Sequence, residues 1–183
     1  MVPAGDAGLP ARVVGHLLTN SFSLWQTGPS LERFFGERRF LATYFLAGVA
    51  GNCFSLRFSP SMSVGASGAI AGLVGAMAVY LRRHDWLYGP QGDRMLRNMG
   101  QVVAINAYYG LTASNIDNWG HLGGLLGGAA AAYTFGPRYR PVHDQLGQVL
   151  GISDYPLVEV PGITRGFGKR KKRGIRYFRG AAR

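Results

Sequence analysis

Val64-Gly-Ala-Ser67-Gly-Ala-Ile-Ala-Gly-Leu-Val-Gly75 opens a charge-free run that continues to Leu81, with one hydroxyl at its mouth. Further along, Asn118-Trp-Gly-His121-Leu-Gly-Gly124 opens a second apolar run, headed by an imidazole. Lipid offers polar side chains few partners, so polar groups at the heads of membrane-length segments point to function. Ser and His together are the minimum set for an activated hydroxyl nucleophile.

The composition around these runs suits packed membrane helices. The 183 residues fit one domain, with 16% charged residues, 47% hydrophobic residues and 28 Gly. Glycine at that level is useful where helices approach closely in lipid. Four His and a single Cys53 show no metal-ligand spacing, so no metal or cofactor is expected, and an internal disulfide is excluded. The net charge of +11 is concentrated at the C-terminus, between Arg165 and Arg183. Nucleic acid is one partner for such a run. After several apolar segments, an inner membrane face with anionic lipid is the better fit, and no nucleic acid is expected. Met1 to Pro10 lack the charged start and apolar centre of a signal peptide.

Five apolar stretches read as helices: 12–27, 40–56, 64–81, 99–113 and 119–135. Runs of roughly 15–18 residues give helices of about 22–27 Å, short for a bilayer core but workable with slight thinning. If their directions alternate, the loops holding Arg33, Arg38 and Arg39, then Arg82, Arg83, Arg94 and Arg97, share one side with the basic tail. The opposite loops carry only Arg57 and Asp117. The Lys/Arg bias names the first side as inner. Stretches one, three and five then all start at the outer face. That ordering sets His16, Asn20, Ser67 and His121 at one depth, with His16 and Asn20 on one helix face. Glycines four apart, Gly68/Gly72 in stretch three and Gly120/Gly124 and Gly124/Gly128 in stretch five, suit close helix packing. Singly, Ser67 also fits a helix cap, His121 an interfacial histidine, and Asn20 an interhelical hydrogen bond.

Four motifs in order, His16-Leu-Leu-Thr-Asn20, Leu31-Glu-Arg-Phe-Phe-Gly36, Gly65-Ala-Ser67-Gly68 and Gly120-His121-Leu-Gly-Gly-Leu-Leu-Gly-Gly128, resemble the rhomboid intramembrane serine proteases. The resemblance runs from about residue 13 to 135. It implies an all-α, polytopic, rhomboid-like membrane helix bundle. It implies an endopeptidase with a Ser–His dyad, acting on transmembrane segments of protein substrates without a cofactor. Ser67 is then the nucleophile and His121 the general base and acid. His16 and Asn20 donate hydrogen bonds to the oxyanion, aided by the Ser67 backbone N–H. Asp117, four before His121, reads as a loop or N-cap residue, not as a third triad member. His84 and His143 receive no role.

Two features depart from the family pattern. The usual core has six helices, and Met1 to Ala11 are too short to span a bilayer before His16. The expectation is an N-terminally truncated member with five of six core helices: a stub at 1–11, a membrane domain at 12–136 and a disordered, inner-facing basic tail at 137–183. The position four after Ser67, often aromatic in the family, is Ala71. These departures keep an alternative open, a non-catalytic rhomboid-like protein that binds transmembrane helices. Motif Asn115-Ile-Asp-Asn-Trp-Gly-His121 is closest in style to bacterial and plastid members, which suggests a bacterial-type inner membrane or a plastid membrane.

Overall fold

The computed structural model describes residues 8–59, 66–112 and 117–164, the side chains of 8–13, 102 and 105–112 apart. It is mostly helical. Five helices follow in order, α1 (Gly8–Phe35), α2 (Glu37–Phe58), α3 (Ser67–Arg83), α4 (Asp85–Thr112) and α5 (Asn118–Phe135). A hairpin of β1 (Tyr139–His143) and β2 (Val149–Asp154) closes the described chain. Each expected stretch falls on a helix, although Val64 and Gly65, at the mouth of the third, and Ala113 lie outside the described residues.

Helices α2, α3 and α5 form a tight three-helix centre built on small residues. The inward face of α2 is Arg39, Thr43, Ala47, Gly51 and Ser55, a strict four-residue step. Its outward face carries Leu41, Phe45, Leu46, Val49 and Leu56, all exposed. The C-terminal half of α1 leans on α3, where Leu31 and Phe35 meet Leu73, Met77, Tyr80 and Leu81. The N-terminal half of α1 stands clear, with Val14, Leu17, Leu18, Phe22 and Trp25 exposed.

The α1–α2 junction is a single residue, Gly36, at φ 78. A Cβ is strained in that left-handed region, so glycine makes the sharp turn possible. Helix α4 begins much earlier than its expected apolar stretch. Charges at Asp85, Asp93, Arg94 and Arg97 disguise a helix whose Tyr88, Met95, Leu96 and Met99 pack on the core at helical spacing. It is kinked at Gly89, φ 47, and Pro90 restarts it as a first-turn residue.

Two expectations need correction. The fold is not purely α, and the segment expected to be disordered is folded through residue 164. β1 and β2 pair antiparallel, from Tyr139 opposite Asp154 to His143 opposite Val149. Long-range bonds hold this hairpin. Arg39 on α2 pairs with Asp154, and Arg38 donates to the Gly162 carbonyl. Tyr139 Oη donates to the Phe34 carbonyl and the Tyr139 N–H donates to His84 Nε2. The α1–α2 turn, the end of α3 and the hairpin therefore meet at one end of the bundle, in line with the loop sidedness inferred from charge. The stub at 1–7 and the tail at 165–183 lie outside the described residues, while residues 8–11 already belong to α1.

Among the described residues, no helix is long and apolar enough to cross a membrane. α3 has 17 residues and ends in Arg82 and Arg83. α5 is largely Gly and Ala, with His121 and Thr134 within it. Helix hydropathy thus does not itself establish the spans expected from the sequence.

Candidate active site

The heads of α3 and α5 are brought together by glycine. A Cβ built on Gly68 would lie 3.1 Å from the Gly120 carbonyl oxygen, and one on Gly124 only 1.9 Å from the Gly68 carbonyl oxygen. A turn further, a Cβ on Gly72 would lie 2.7 Å from the Gly124 oxygen, and one on Gly128 1.9 Å from the Gly72 oxygen. The helices are therefore parallel, with Gly68 between Gly120 and Gly124, and Gly72 between Gly124 and Gly128. One residue back from Gly68, Ser67 stands level with His121. Both are half-buried.

Gly51 of α2 completes this junction. A Cβ there would lie 2.8 Å from the Gly120 oxygen and 3.4 Å from the Gly68 Cα. Sequence reading missed Gly51, although Ala47, Gly51 and Ser55 carry the same small-residue step that marked α3 and α5.

Ser67 is the first residue of α3. The opening N–H groups of a helix have no intrahelical acceptor, so the backbone at Ser67 offers donors toward a negative charge. At α5, Asp117 is the N-cap, its Oδ1 accepting the Gly120 N–H at 2.9 Å. His121 lies within electrostatic reach of both Asp117 and His16.

His16 and Asn20 contact each other on α1. Asn20 Nδ2 donates to the His16 carbonyl at 3.0 Å and lies 3.2 Å from His16 Nε2. His16 is exposed and Asn20 half-exposed. The structure thus brings His16 and Asn20 into contact on α1 and places Ser67 and His121 at the heads of two helices, α3 and α5, whose backbones touch at Gly68, Gly120 and Gly124. Among the described residues no hydrogen bond links one pair to the other, or Ser67 to His121. Ala71 lies on α3 one turn below Ser67 and is half-buried. A separate open cleft of about 230 Å³ lies between α1, α3 and α4. Gln26, Ser30, Leu73, Met77, Met95 and Asn98 are among its lining residues. No cluster of His, Cys, Asp or Glu among the described residues has the makings of a metal site.

Comparison with known proteins fits this arrangement. The Rhomboid domain profile matches residues 13–138, well over half of the chain. This chain belongs to the rhomboid family. Rhomboid protease GluP of Bacillus subtilis is 42% identical over 129 residues, covering 67% of this chain and 24% of that protein. Putative rhomboid protease YdcA of the same organism is 36% identical over 115 residues, covering 62% of this chain and 56% of that protein. RHOMBOID-like protein 6, mitochondrial, of Arabidopsis thaliana is 39% identical over 114 residues, covering 62% of this chain and 36% of that protein. The chain thus spans between about a quarter and just over half the length of these relatives.

Proposed function

We propose that this rhomboid is an intramembrane serine endopeptidase that cleaves transmembrane segments of protein substrates with Ser67 and His121. The observation that supports the reading is the glycine-on-glycine contact of α3 and α5, which joins the heads of the two helices that carry Ser67 and His121. Ser67 Oγ attacks the scissile carbonyl while His121 takes its proton, and His121 then returns that proton to the leaving amine. The oxyanion is met by the Ser67 N–H at the start of α3 and by His16 and Asn20.

The membrane setting is supported by the inverted character of α2. Beyond the buried Arg39 at its start, it turns the small residues Thr43, Ala47, Gly51 and Ser55 inward and Leu41, Phe45, Leu46 and Val49 outward, the reverse of a helix in water. Aromatic residues mark both ends of the bundle. Phe58 packs on Trp119 at the outer end, and Arg83 lies over Tyr133 at the inner end. The folded hairpin and the basic tail then face inward, toward anionic lipid. A bacterial-type inner membrane and a plastid membrane both suit this setting.

The test is incubation of the full chain, in detergent or liposomes, with a model single-span substrate beside Ser67→Ala. Cleavage by the wild type alone is expected. Equal cleavage by both, or none by either, would sink the protease reading. The open α1/α3/α4 cleft, away from Ser67, favours a second reading in which the chain binds a transmembrane helix without cutting it. Crosslinking of an uncleaved substrate to Met95 or Asn98 positions, equal in wild type and Ser67→Ala, would support that alternative.

A further inference from the structure

We infer that Asp117 is the positioning residue for His121, gripping the first turn of α5 from which the imidazole projects. The inference rests on the dyad reading above. Asp117 holds two successive amides. Its side-chain Oδ1 accepts the Gly120 N–H at 2.9 Å, and its main-chain carbonyl accepts the His121 N–H at 3.1 Å. The carboxylate lies flat against Gly120, where a Cβ would come within 2.5 Å of Oδ2. On its other side, the Gly120 carbonyl oxygen is wedged against Gly51 of α2 and Gly68 of α3. Gly120 is therefore clamped between a carboxylate and two glycine faces, and His121 is the next residue. Release of the carboxylate leaves the Gly120 N–H without its acceptor and frees the turn that aims His121.

This role differs from that of a triad acid. A triad acid acts through its charge on the imidazole, and an amide in its place fails. A cap acts through an acceptor oxygen, and Asn serves as well as Asp. Asp117→Asn keeps the acceptor and loses the charge. Asp117→Ala loses both.

Full-length wild type, Asp117→Asn and Asp117→Ala should be compared for cleavage of the single-span substrate and for the ¹⁵N spectrum of the histidine rings. Loss of the His121 signals in His121→Ala assigns that ring. The expected result is kcat for Asp117→Asn within about threefold of wild type, since Asn caps as well as Asp, and a fall of about tenfold or more for Asp117→Ala at unchanged KM, as for a misaimed catalytic group. The His121 ring should give single sharp signals in wild type and Asp117→Asn, and split or broadened ones in Asp117→Ala. Equal losses in both variants would overturn the inference in favour of a charge effect. An unaltered His121 spectrum in Asp117→Ala would overturn it outright. The spectra need no substrate, so they decide the inference even if the wild type cuts nothing and the protease reading itself fails.

Discussion

His84 Nε2 accepts the main-chain N–H of Tyr139 at 2.9 Å while Nδ1 lies 2.7 Å from the Tyr80 carbonyl. One ring nitrogen accepts and the other donates, so the bonded ring is the neutral Nδ1–H tautomer. His84 stands just past the end of α3, fully buried, and joins the bundle to the hairpin. Burial pushes its pKa below the ordinary histidine value, and the adjacent Arg83 adds to this. The Tyr80 carbonyl, Asp154 and Asp85 oppose the shift without cancelling it. Protonation at Nε2 would set a donor against the Tyr139 N–H.

The sign of the pH effect follows. Below about pH 6.5 the unfolded chain binds a proton that the folded chain resists, so stability falls with acid. The contribution is complete above the ordinary histidine pKa and is lost as pH falls toward the depressed one. The protection factor of the Tyr139 amide, its exchange rate relative to the intrinsic rate at each pH, should therefore fall as pH drops below about 6.5. His84→Gln, which retains an acceptor and does not titrate, should remove this dependence. Protection at Tyr139 that ignores pH in the wild type would count against the coupling.

How much of this was legible differs by element. The cores of α3 and α5 could be read because their pattern is local: glycines four apart, few charges and polar residues confined mostly to the mouths. Gly51 carried the same signal more faintly, its step being shared with Ala47 and Ser55. The start of α4 was hidden because Asp93, Arg94 and Arg97 face solvent on the far side of Met95 and Met99. The hairpin was illegible for a different reason. Pro141 lies within β1 and argues against a central strand, yet both strands of a two-stranded sheet are edges. Its order comes from partners far away in sequence, Arg39 for Asp154 and His84 for Tyr139, which no local pattern announces. Of the candidate site, the close approach of the α3 and α5 heads follows from glycine spacing. The contact between His16 and Asn20 follows from their four-residue separation.

The α3–α5 seam makes a graded prediction about glycine. Alanine at Gly124 would drive a methyl to 1.9 Å from the Gly68 oxygen, and backbone cannot move aside cheaply. A loss of about 1–3 kcal/mol or more is expected, as for overpacked cores. Gly15 lies within α1 and has nothing among the described residues within 4 Å of its Cβ position. Gly15→Ala should be neutral or gain about 0.4–1 kcal/mol by restricting the unfolded chain. Thermal melts of both variants in detergent test this, and a Gly124→Ala melt like that of wild type would mean the seam is looser than described.

Arg39 and Asp154 form a nearly buried ion pair between α2 and β2. Asp154 also accepts the Arg138 N–H at 2.9 Å, while Arg39 Nε has no partner among the described residues. Removing one charge strands the other, which in buried pairs costs about 3–5 kcal/mol. Asp154→Ala should therefore destabilise strongly. The double variant Arg39→Met/Asp154→Leu should recover part of the loss, since apolar replacement spares the desolvation cost but leaves the Arg138 N–H unmet. Chemical denaturation of the three proteins measures both steps. A double variant no more stable than Asp154→Ala would show that the pair gives more than it costs.

Asn20 separates a role in catalysis from a role in packing. Its amide nitrogen is engaged locally, with the His16 carbonyl and ring, on a stretch of α1 that packs against little else. Asn20→Ala should therefore leave thermal stability within about 0.5 kcal/mol of wild type, as at other lightly packed surface positions. If Asn20 meets the oxyanion, kcat should fall by roughly 10²- to 10³-fold, the usual cost of one lost donor. Asn20→Asp sharpens the test, because a carboxylate accepts and cannot donate. It should be no better than alanine and should repel the developing negative charge. Matched melting curves with a kcat loss in both variants would assign Asn20 to the transition state. Full activity in either would remove it from the site.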